Sequence, residues 1–282
     1  MKFDQYQLSD EVKYNLREMG FRRPTDIQYK CLSPIQRGED VLAIAQTGTG
    51  KTAAFAIPII DKIQYRKSRS KNRLSFIRCV VMVPTRELAQ QITSVFNQIG
   101  KSTKVKTLCV QGGVEQDHQI NRLLQGVDII VSTPGRLFDL TSQGYLKLNR
   151  VEILVLDEAD HMLDLGFAKD INDLIIKLPK LRQSLFFSAT ISKKIKSQAY
   201  KLVNSNAIRI QISPKDPVNK NVNHQVVFVE MDDKRFFLQR IIQENSQKRM
   251  LVFVRTKVRA ERVKKAMERS QIDVLTIHGD KE

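Results

Sequence analysis

The residues best equipped for chemistry stand at positions 45–52, Ala45-Gln46-Thr47-Gly48-Thr49-Gly50-Lys51-Thr52. The apolar run Val41-Leu42-Ala43-Ile44 precedes them and Ala53-Ala54-Phe55-Ala56-Ile57 follows, so the stretch reads as strand, glycine turn and helix start. That combination holds a phosphate chain. Backbone N–H groups of a glycine-rich turn and the positive end of a helix dipole make an anion site, and Lys51 adds a mobile charge for the outer phosphates. Thr52 offers a hydroxyl to Mg²⁺. The stretch opens on Ala45 where the strict phosphate-loop pattern has Gly.

Further along, Ile153-Leu154-Val155-Leu156 runs into Asp157-Glu158-Ala159-Asp160. A strand ending in acids puts carboxylates at the carboxyl edge of a parallel sheet, where open α/β folds bind ligands. Asp157 is placed to hold Mg²⁺, directly or through water. Glu158, on the other side of the pleat, could orient and deprotonate an attacking water. Asp160 can bond polar groups of a facing strand. Alone, this tetrad reads equally well as a solvated helix start; beside a phosphate loop it reads as metal and water chemistry.

The elements that must position these groups alternate regularly. Apolar runs at 79–83, 107–110, 128–131, 153–156 and 185–187 read as parallel strands covered on both faces. Helical periodicities between them include 87–99 and 114–124, long enough for right-handed crossovers. At the front, Leu8, Val12, Leu16 and Met19 share a helical face behind Ser9, a plausible N-cap, and Pro24 and Thr25 end one helix and start the next. The expected fold is α/β: a central parallel sheet with helices on both faces over 1–206, a polar, proline-containing linker over 207–222, and an incomplete second α/β domain over 223–282. That last segment restarts the pattern with strands at 225–229, 250–254 and 274–277 and helices at 234–244 and 258–268. It is a small core with an exposed edge strand.

Composition narrows the partner. Hydrophobic residues make up 41% and charged residues 27% of the 282, an ordinary globular balance. Lys and Arg number 47 against 30 Asp and Glu, a net charge of +17. Such an excess points to a polyanion, nucleic acid being the commonest, with a basic surface kept for solubility as the alternative. The basic run at 66–73 reads as a surface loop, with polyanion contact the weaker alternative. Cys31, Cys79 and Cys109 are too few and scattered for a disulfide framework or zinc knuckle and fit a reducing cytoplasm. The four histidines are isolated in sequence, which gives a metal-ligand cluster little support. Neither a signal peptide nor an apolar run of the ~18 residues needed for a membrane span is present, so a cytoplasmic monomer is expected.

Taken in order, these motifs resemble those of the DEAD-box RNA helicases, with a bacterial flavour in the phrase running from Asp160 to Phe167. Gly20 to Gln28 matches the family's Q motif, Ala45 to Thr52 motif I, and Pro84-Thr85-Arg86-Glu87-Leu88-Ala89 motif Ia. Gly112-Gly113, Thr133-Pro134-Gly135-Arg136, Asp157 to Asp160 and Ser188-Ala189-Thr190 continue the series, and His161 after the tetrad sets it apart from the DEAH variant. In the second domain Leu251 to Thr256 is similar to motif IV, and His278-Gly279-Asp280 to a segment downstream of it.

The resemblance implies two RecA-like domains, ATP with Mg²⁺ as cofactors, and RNA as partner. Gln28 would pair its amide with adenine N6 and N7. Phe21 would stack on the base, with an ordinary core role as the alternative. Thr25 and the stretch Ala45, Gln46, Thr47, Gly48, Thr49, Gly50, Lys51 and Thr52 complete the nucleotide set. Thr52 and Asp157 would face the metal. Lys51, Asp157, Glu158, Ser188 and Thr190 form the catalytic set. Thr85, Arg86, Gly112, Gly113, Thr133, Gly135, Arg136 and Arg255 would bind RNA through its phosphates, without regard to sequence.

Within these 282 residues there is neither the family's Ala-Arg-Gly-x-Asp motif nor its His-Arg-x-Gly-Arg-x-x-Arg motif. The latter supplies arginines to the γ-phosphate, and arginine fingers contribute on the order of 10³ to 10⁵ in rate in related enzymes. The expectation is a chain cut within its second domain that binds ATP but hydrolyses and unwinds weakly. A non-hydrolysing, nucleotide-gated RNA scaffold and a DNA helicase or translocase of the same fold are the competing readings.

Overall fold

A computed structural model describes residues 2–69, 76–212 and 222–281. After a 3-10 turn at Phe3–Gln5 come α1 (Asp10–Glu18), α2 (Asp26–Arg37), β1 (Val41–Ile44), α3 (Lys51–Arg69), β2 (Cys79–Met82), α4 (Arg86–Ile99) and β3 (Thr107–Val110). The chain continues through α5 (Gln116–Leu124), β4 (Ile129–Ser132), α6 (Pro134–Ser142), β5 (Ile153–Leu156), α7 (Ala159–Asp164), α8 (Ala168–Lys177), β6 (Gln183–Ser188), α9 (Lys193–Leu202) and β7 (Ile208–Gln211). Two further helices, α10 (Lys234–Glu244) and α11 (Lys257–Arg269), follow. The chain divides into two compact units, Met1–Lys215 and Asp216–Glu282.

In the first unit all strands are parallel, in the order β3-β4-β2-β5-β6-β1-β7. Alternation along each strand splits the core into two layers, because successive side chains point to opposite faces. Val41, Ala43, Val81, Val155 and Phe187 join α1 to α4 on one face. Leu42, Val80, Leu154, Leu156 and Phe186 join α6 to α9 on the other. Helices on both sides explain why β1, β2, β4, β5 and β6 are buried along their whole length. This is the α/β, RecA-like architecture.

Register aligns the strand ends. Ile44 pairs with Ser188, Leu156 with Phe186, Met82 with both Leu156 and Ser132, and Val110 with Ser132. The residues that follow each strand therefore emerge along one carboxyl edge.

Three expectations need correction. Ile208–Gln211 is not linker: it is β7, paired with β1 on the sheet's flank, because its alternating Ile208 and Ile210 find an apolar neighbour in Val41 and Ala43. The remainder of the expected linker falls largely on 213–221, outside the described residues. The basic run at 66–73 begins as helix: Arg66 and Lys67 lie in α3, where Arg66 pairs with Glu152 and Lys67 with buried Asp128 at 2.7 Å, while 70–73 lie outside the described residues.

The third correction concerns the second unit. Its helices form where periodicity puts them, α11 with the Thr256 hydroxyl accepting from Arg259 N–H at 3.2 Å. The segments 225–229, 250–254 and 274–277 are not strands; among the described residues no ladder joins them. Phe228, Phe253, Leu275 and Ile277 remain 87–96% exposed. α10 and α11 border a cavity of about 580 Å³ with 250–254 and 274–279. A parallel sheet needs apolar cover on both faces, and here the alternate residues have none.

Candidate functional site

The turn after β1 depends on glycine. Gly50 has φ +92°, and a Cβ there would sit 2.5 Å from Gln28 Nε2. The close approach comes from α2. Gln28 Nε2 donates to the Gly50 carbonyl at 3.2 Å, and its Oε1 accepts from Thr25 N–H at 3.0 Å. The Thr25 hydroxyl donates to the Thr49 carbonyl at 2.8 Å, and the Thr49 hydroxyl to the Gln46 carbonyl, also at 2.8 Å. Carbonyls of the loop are thus tied back to the protein, while the first N–H groups of α3 have no intrahelical acceptor. Lys51, only 7% exposed, donates to the Ala45 carbonyl at 2.9 Å.

Two residues expected at the base have partners within the protein. Gln28 is 3% exposed with both ends of its amide engaged on Thr25 and Gly50, which leaves one N–H and one lone pair for any base. Phe21 packs edge-on against Phe3 with centroids 6.0 Å apart, at the margin of the core. The closeness of Gln28 to the loop could not be read locally, since α2 meets it across more than twenty residues of chain.

Asp157 prolongs β5 by one residue, its N–H donating to the Met82 carbonyl at 3.1 Å. Its carboxylate is 2% exposed and accepts from Glu158 N–H at 3.0 Å. Burial pushes this carboxyl up to about 6, against the pull of Lys51 and of the Glu158 N–H and with the help of the Glu158 and Asp160 charges. A desolvated carboxylate with so few donors fits a cation. Hard oxygen donors from one carboxylate and one hydroxyl, Asp157 and Thr52, suit Mg²⁺, which keeps waters and phosphate oxygens for the rest of its shell. Among the described residues no group of three or more His, Cys, Asp or Glu could hold a metal on its own.

Glu158 is not across a pleat from Asp157. The chain leaves the strand there, with Glu158 at φ 51°, ψ 46° as the N-cap of α7. This left-handed conformation costs a non-glycine residue about 1 kcal/mol or more. It turns the carboxylate off the sheet, 3.6 Å from His161 Nδ1.

Asp160 proves to be a hub. Its Oδ2 accepts from Ala189 N–H at 3.2 Å, Thr190 N–H at 2.9 Å and the Thr190 hydroxyl at 3.0 Å. The Ser188 hydroxyl donates to the Thr190 carbonyl at 2.8 Å. Ala189 and Thr190 therefore bond the acidic turn after β5 directly, and Ser188 braces Thr190. The tetrad's last carboxylate was the signal, since it called for polar groups on a facing strand, and β6 supplies them.

The same edge opens a cleft of about 690 Å³ lined by Thr85, Arg86, Gly112, Thr133, Gly135 and Arg136, together with Glu87, Asp139 and Phe167. Sequence reasoning missed the last three. Two helices begin on it: Thr85 caps α4, its hydroxyl accepting from Leu88 N–H at 3.2 Å, and Thr133 with Pro134 opens α6. Helix N-termini attract anions. Arg86 lies so close to the Gly112-Gly113 turn that a Cβ at Gly113 would strike its Nη1. Arg136 stands 3.5 Å from Asp139 through Nε, and its Nη1 is buried with no hydrogen-bond partner among the described residues. Arg255 lies in the second unit, exposed, just before α11.

Comparison with known proteins places the chain in a family. A family model described as DEAD/DEAH box helicase matches residues 25–197. The chain is 35% identical over 283 residues to the DEAD-box ATP-dependent RNA helicase RhpA of Helicobacter pylori, covering 99% of this chain and 55% of that protein. It is 37% identical over 281 residues to the ATP-dependent RNA helicase RhlB of Shewanella oneidensis, covering 99% and 64% respectively. It is 36% identical over 280 residues to the DEAD-box ATP-dependent RNA helicase CshA of Geobacillus kaustophilus, covering 99% and 58%. The chain thus spans between about half and two thirds of the length of these relatives.

Proposed function

This chain belongs to the DEAD/DEAH box helicase family, and from that premise we propose that its first unit binds ATP on the loop after β1 and single-stranded RNA along the neighbouring cleft. The enzyme would couple ATP binding and hydrolysis to local unwinding of RNA duplexes or remodelling of RNA–protein complexes, as a cytoplasmic monomer. The observation that carries the reading is that six residues expected to read phosphates line one cleft, on the sheet edge that also bears Lys51 and Asp157.

In this reading the α3 N-terminus and Lys51 hold the phosphates, Lys51 exchanging the Ala45 carbonyl for a phosphate oxygen. Gln28 reads the base with the N–H and lone pair left free by Thr25 and Gly50, and Phe21 flanks it. Thr52 and Asp157 hold Mg²⁺, which neutralises phosphate charge. Glu158, turned off the sheet at the head of α7, orients the attacking water and takes its proton. Asp160, bonded to the 188–190 turn, links that event to the β6 end, so Ser188 and Thr190 are coupling residues. In the cleft, the Arg136 guanidinium charge holds one phosphate and Arg86 with the two helix starts the next; Arg255, in the second unit, binds RNA phosphate in its own right. Without the arginine motifs in these 282 residues, hydrolysis and unwinding are weak while both ligands still bind.

The test is fluorescence anisotropy of labelled oligouridine and its DNA counterpart, beside binding of a fluorescent ATP analogue. Lys51→Ala abolishes nucleotide binding, Glu158→Gln leaves it within about two-fold, and RNA outcompetes DNA. Nucleotide bound equally by the Lys51→Ala variant, or equal affinity for DNA, overturns the assignment.

A further inference from the structure

We infer that Gln119 is a positioning residue for RNA binding, holding the Gly112-Gly113 turn in register with Arg86; this rests on the cleft being the RNA site. The need for it comes from the topology. β3 is an edge strand, so nothing beyond it in the sheet can bond the outward groups of the chain that continues it. The chain leaves β3 through Gln111, which is 5% exposed, and a buried peptide group without partners is costly.

Gln119, one turn into α5 and 3% exposed, satisfies that peptide on both sides. Its Oε1 accepts from Gln111 N–H at 3.0 Å and its Nε2 donates to the Gln111 carbonyl at 3.1 Å, with the Glu115 carbonyl at 3.3 Å from the same nitrogen. A side-chain amide carries a donor and an acceptor in the arrangement of a peptide group, so it substitutes for the missing strand. From the inner side the Ser132 hydroxyl donates to the Val110 carbonyl at 2.6 Å. The chain is therefore gripped from both flanks immediately before Gly112. Beyond that grip Gly113 sits at φ +80° with bare backbone against the Arg86 guanidinium, so a shift of the turn displaces a phosphate-reading backbone and an arginine together.

Gln119 touches neither the nucleotide loop nor the cleft itself, and that separates its signature from those of both. In the full 282-residue chain, Gln119→Leu lowers affinity for labelled oligouridine about ten-fold and lowers the melting temperature by a few degrees, since the Gln111 groups lose their partners, with ATP-analogue binding unchanged. Gln119→Glu keeps an acceptor for Gln111 N–H and, when protonated, an O–H donor for the Gln111 carbonyl, so at low pH it gives a smaller loss than Gln119→Leu, whereas ionised it places a buried charge against two carbonyls and loses more. A Gln119→Leu variant that binds RNA like wild type, while Arg136→Ala loses it, overturns the inference and leaves the cleft standing. Wild-type RNA affinity in both the Gln119→Leu and Arg136→Ala variants removes the cleft reading itself. Equal loss of RNA and nucleotide affinity with a lowered melting temperature in the Gln119→Leu and Gln119→Glu variants assigns Gln119 to the fold alone and equally overturns the inference.

Discussion

At the scale of single residues, Asp157 sets stability against function. Its carboxyl is pushed up to about 6 chiefly by burial, whereas an unfolded aspartate titrates near ~4. The native state therefore holds this proton more tightly than the unfolded chain. Stability contributed by the group is present below pH ~4, falls as pH rises between the two values, and is gone above ~6. Asp157→Asn, which keeps a neutral side chain at all pH values, should stabilise the ligand-free protein at pH 8 by on the order of 2–3 kcal/mol and at pH 4.5 by only about 1 kcal/mol or less. Urea unfolding at the two pH values measures this; an equal effect at both would remove the charge from the explanation. The same variant should lose Mg²⁺-dependent nucleotide binding, since a carboxylate kept at such a cost is retained for its ligand. Asp157 and Lys51 could be found in the sequence because their chemistry is local, a strand end and a loop. The engagement of Gln28 with Gly50 was hidden, because it depends on how α2 packs beside α3.

At the scale of elements, legibility followed the source of each element's stability. Helices α10 and α11 were legible from periodicity and, for α11, its Thr256 cap, which are properties of the segment itself. β1, β2, β5 and β6 were legible because continuous apolar runs become strands when both faces are covered, and the first unit provides both layers. The runs at 250–254 and 274–277 carry the same signature, yet a ladder also needs a neighbour, and a run of residues says nothing about that. β7 was missed for the opposite reason: a short segment with two exposed polar positions, Arg209 and Gln211, gained strand form only from pairing with β1. Hydrogen exchange should separate these cases. Amides of β5 and β6 should exchange only through near-global opening, while those of 250–254 and 274–277 exchange orders of magnitude faster, within the range of local fluctuation. Protection at 250–254 matching that of β5 would mean that the second unit's strands are paired in solution.

At the scale of the whole molecule, the question is whether the charge of +17 is a diffuse property or a located one. A diffuse basic surface and a cleft both attract polyanions, and both weaken with salt. They differ in how the effect divides among residues. Several cations of the first unit are committed internally: Lys67 to Asp128, Arg78 and Arg66 to Glu152, Lys51 to the Ala45 carbonyl. Arg136 lines the cleft beside the start of α6, and its one ion pair among the described residues is with Asp139 at 3.5 Å. A phosphate there would pair with the guanidinium charge and release a counterion. For single strands each such phosphate contributes about 0.7 to the slope of log affinity against log salt. Arg136→Ala should therefore reduce that slope by about 0.7 and weaken binding alike for oligouridine, oligoadenosine and mixed sequences, because it reads backbone rather than base. Lys13→Ala, which removes a cation of α1 outside the cleft, should leave the slope unchanged. Titrations from low to moderate salt distinguish the two accounts: equal slopes for wild type and Arg136→Ala would return the charge to the surface at large, whereas a deficit confined to Arg136→Ala assigns it to the cleft beneath α4 and α6.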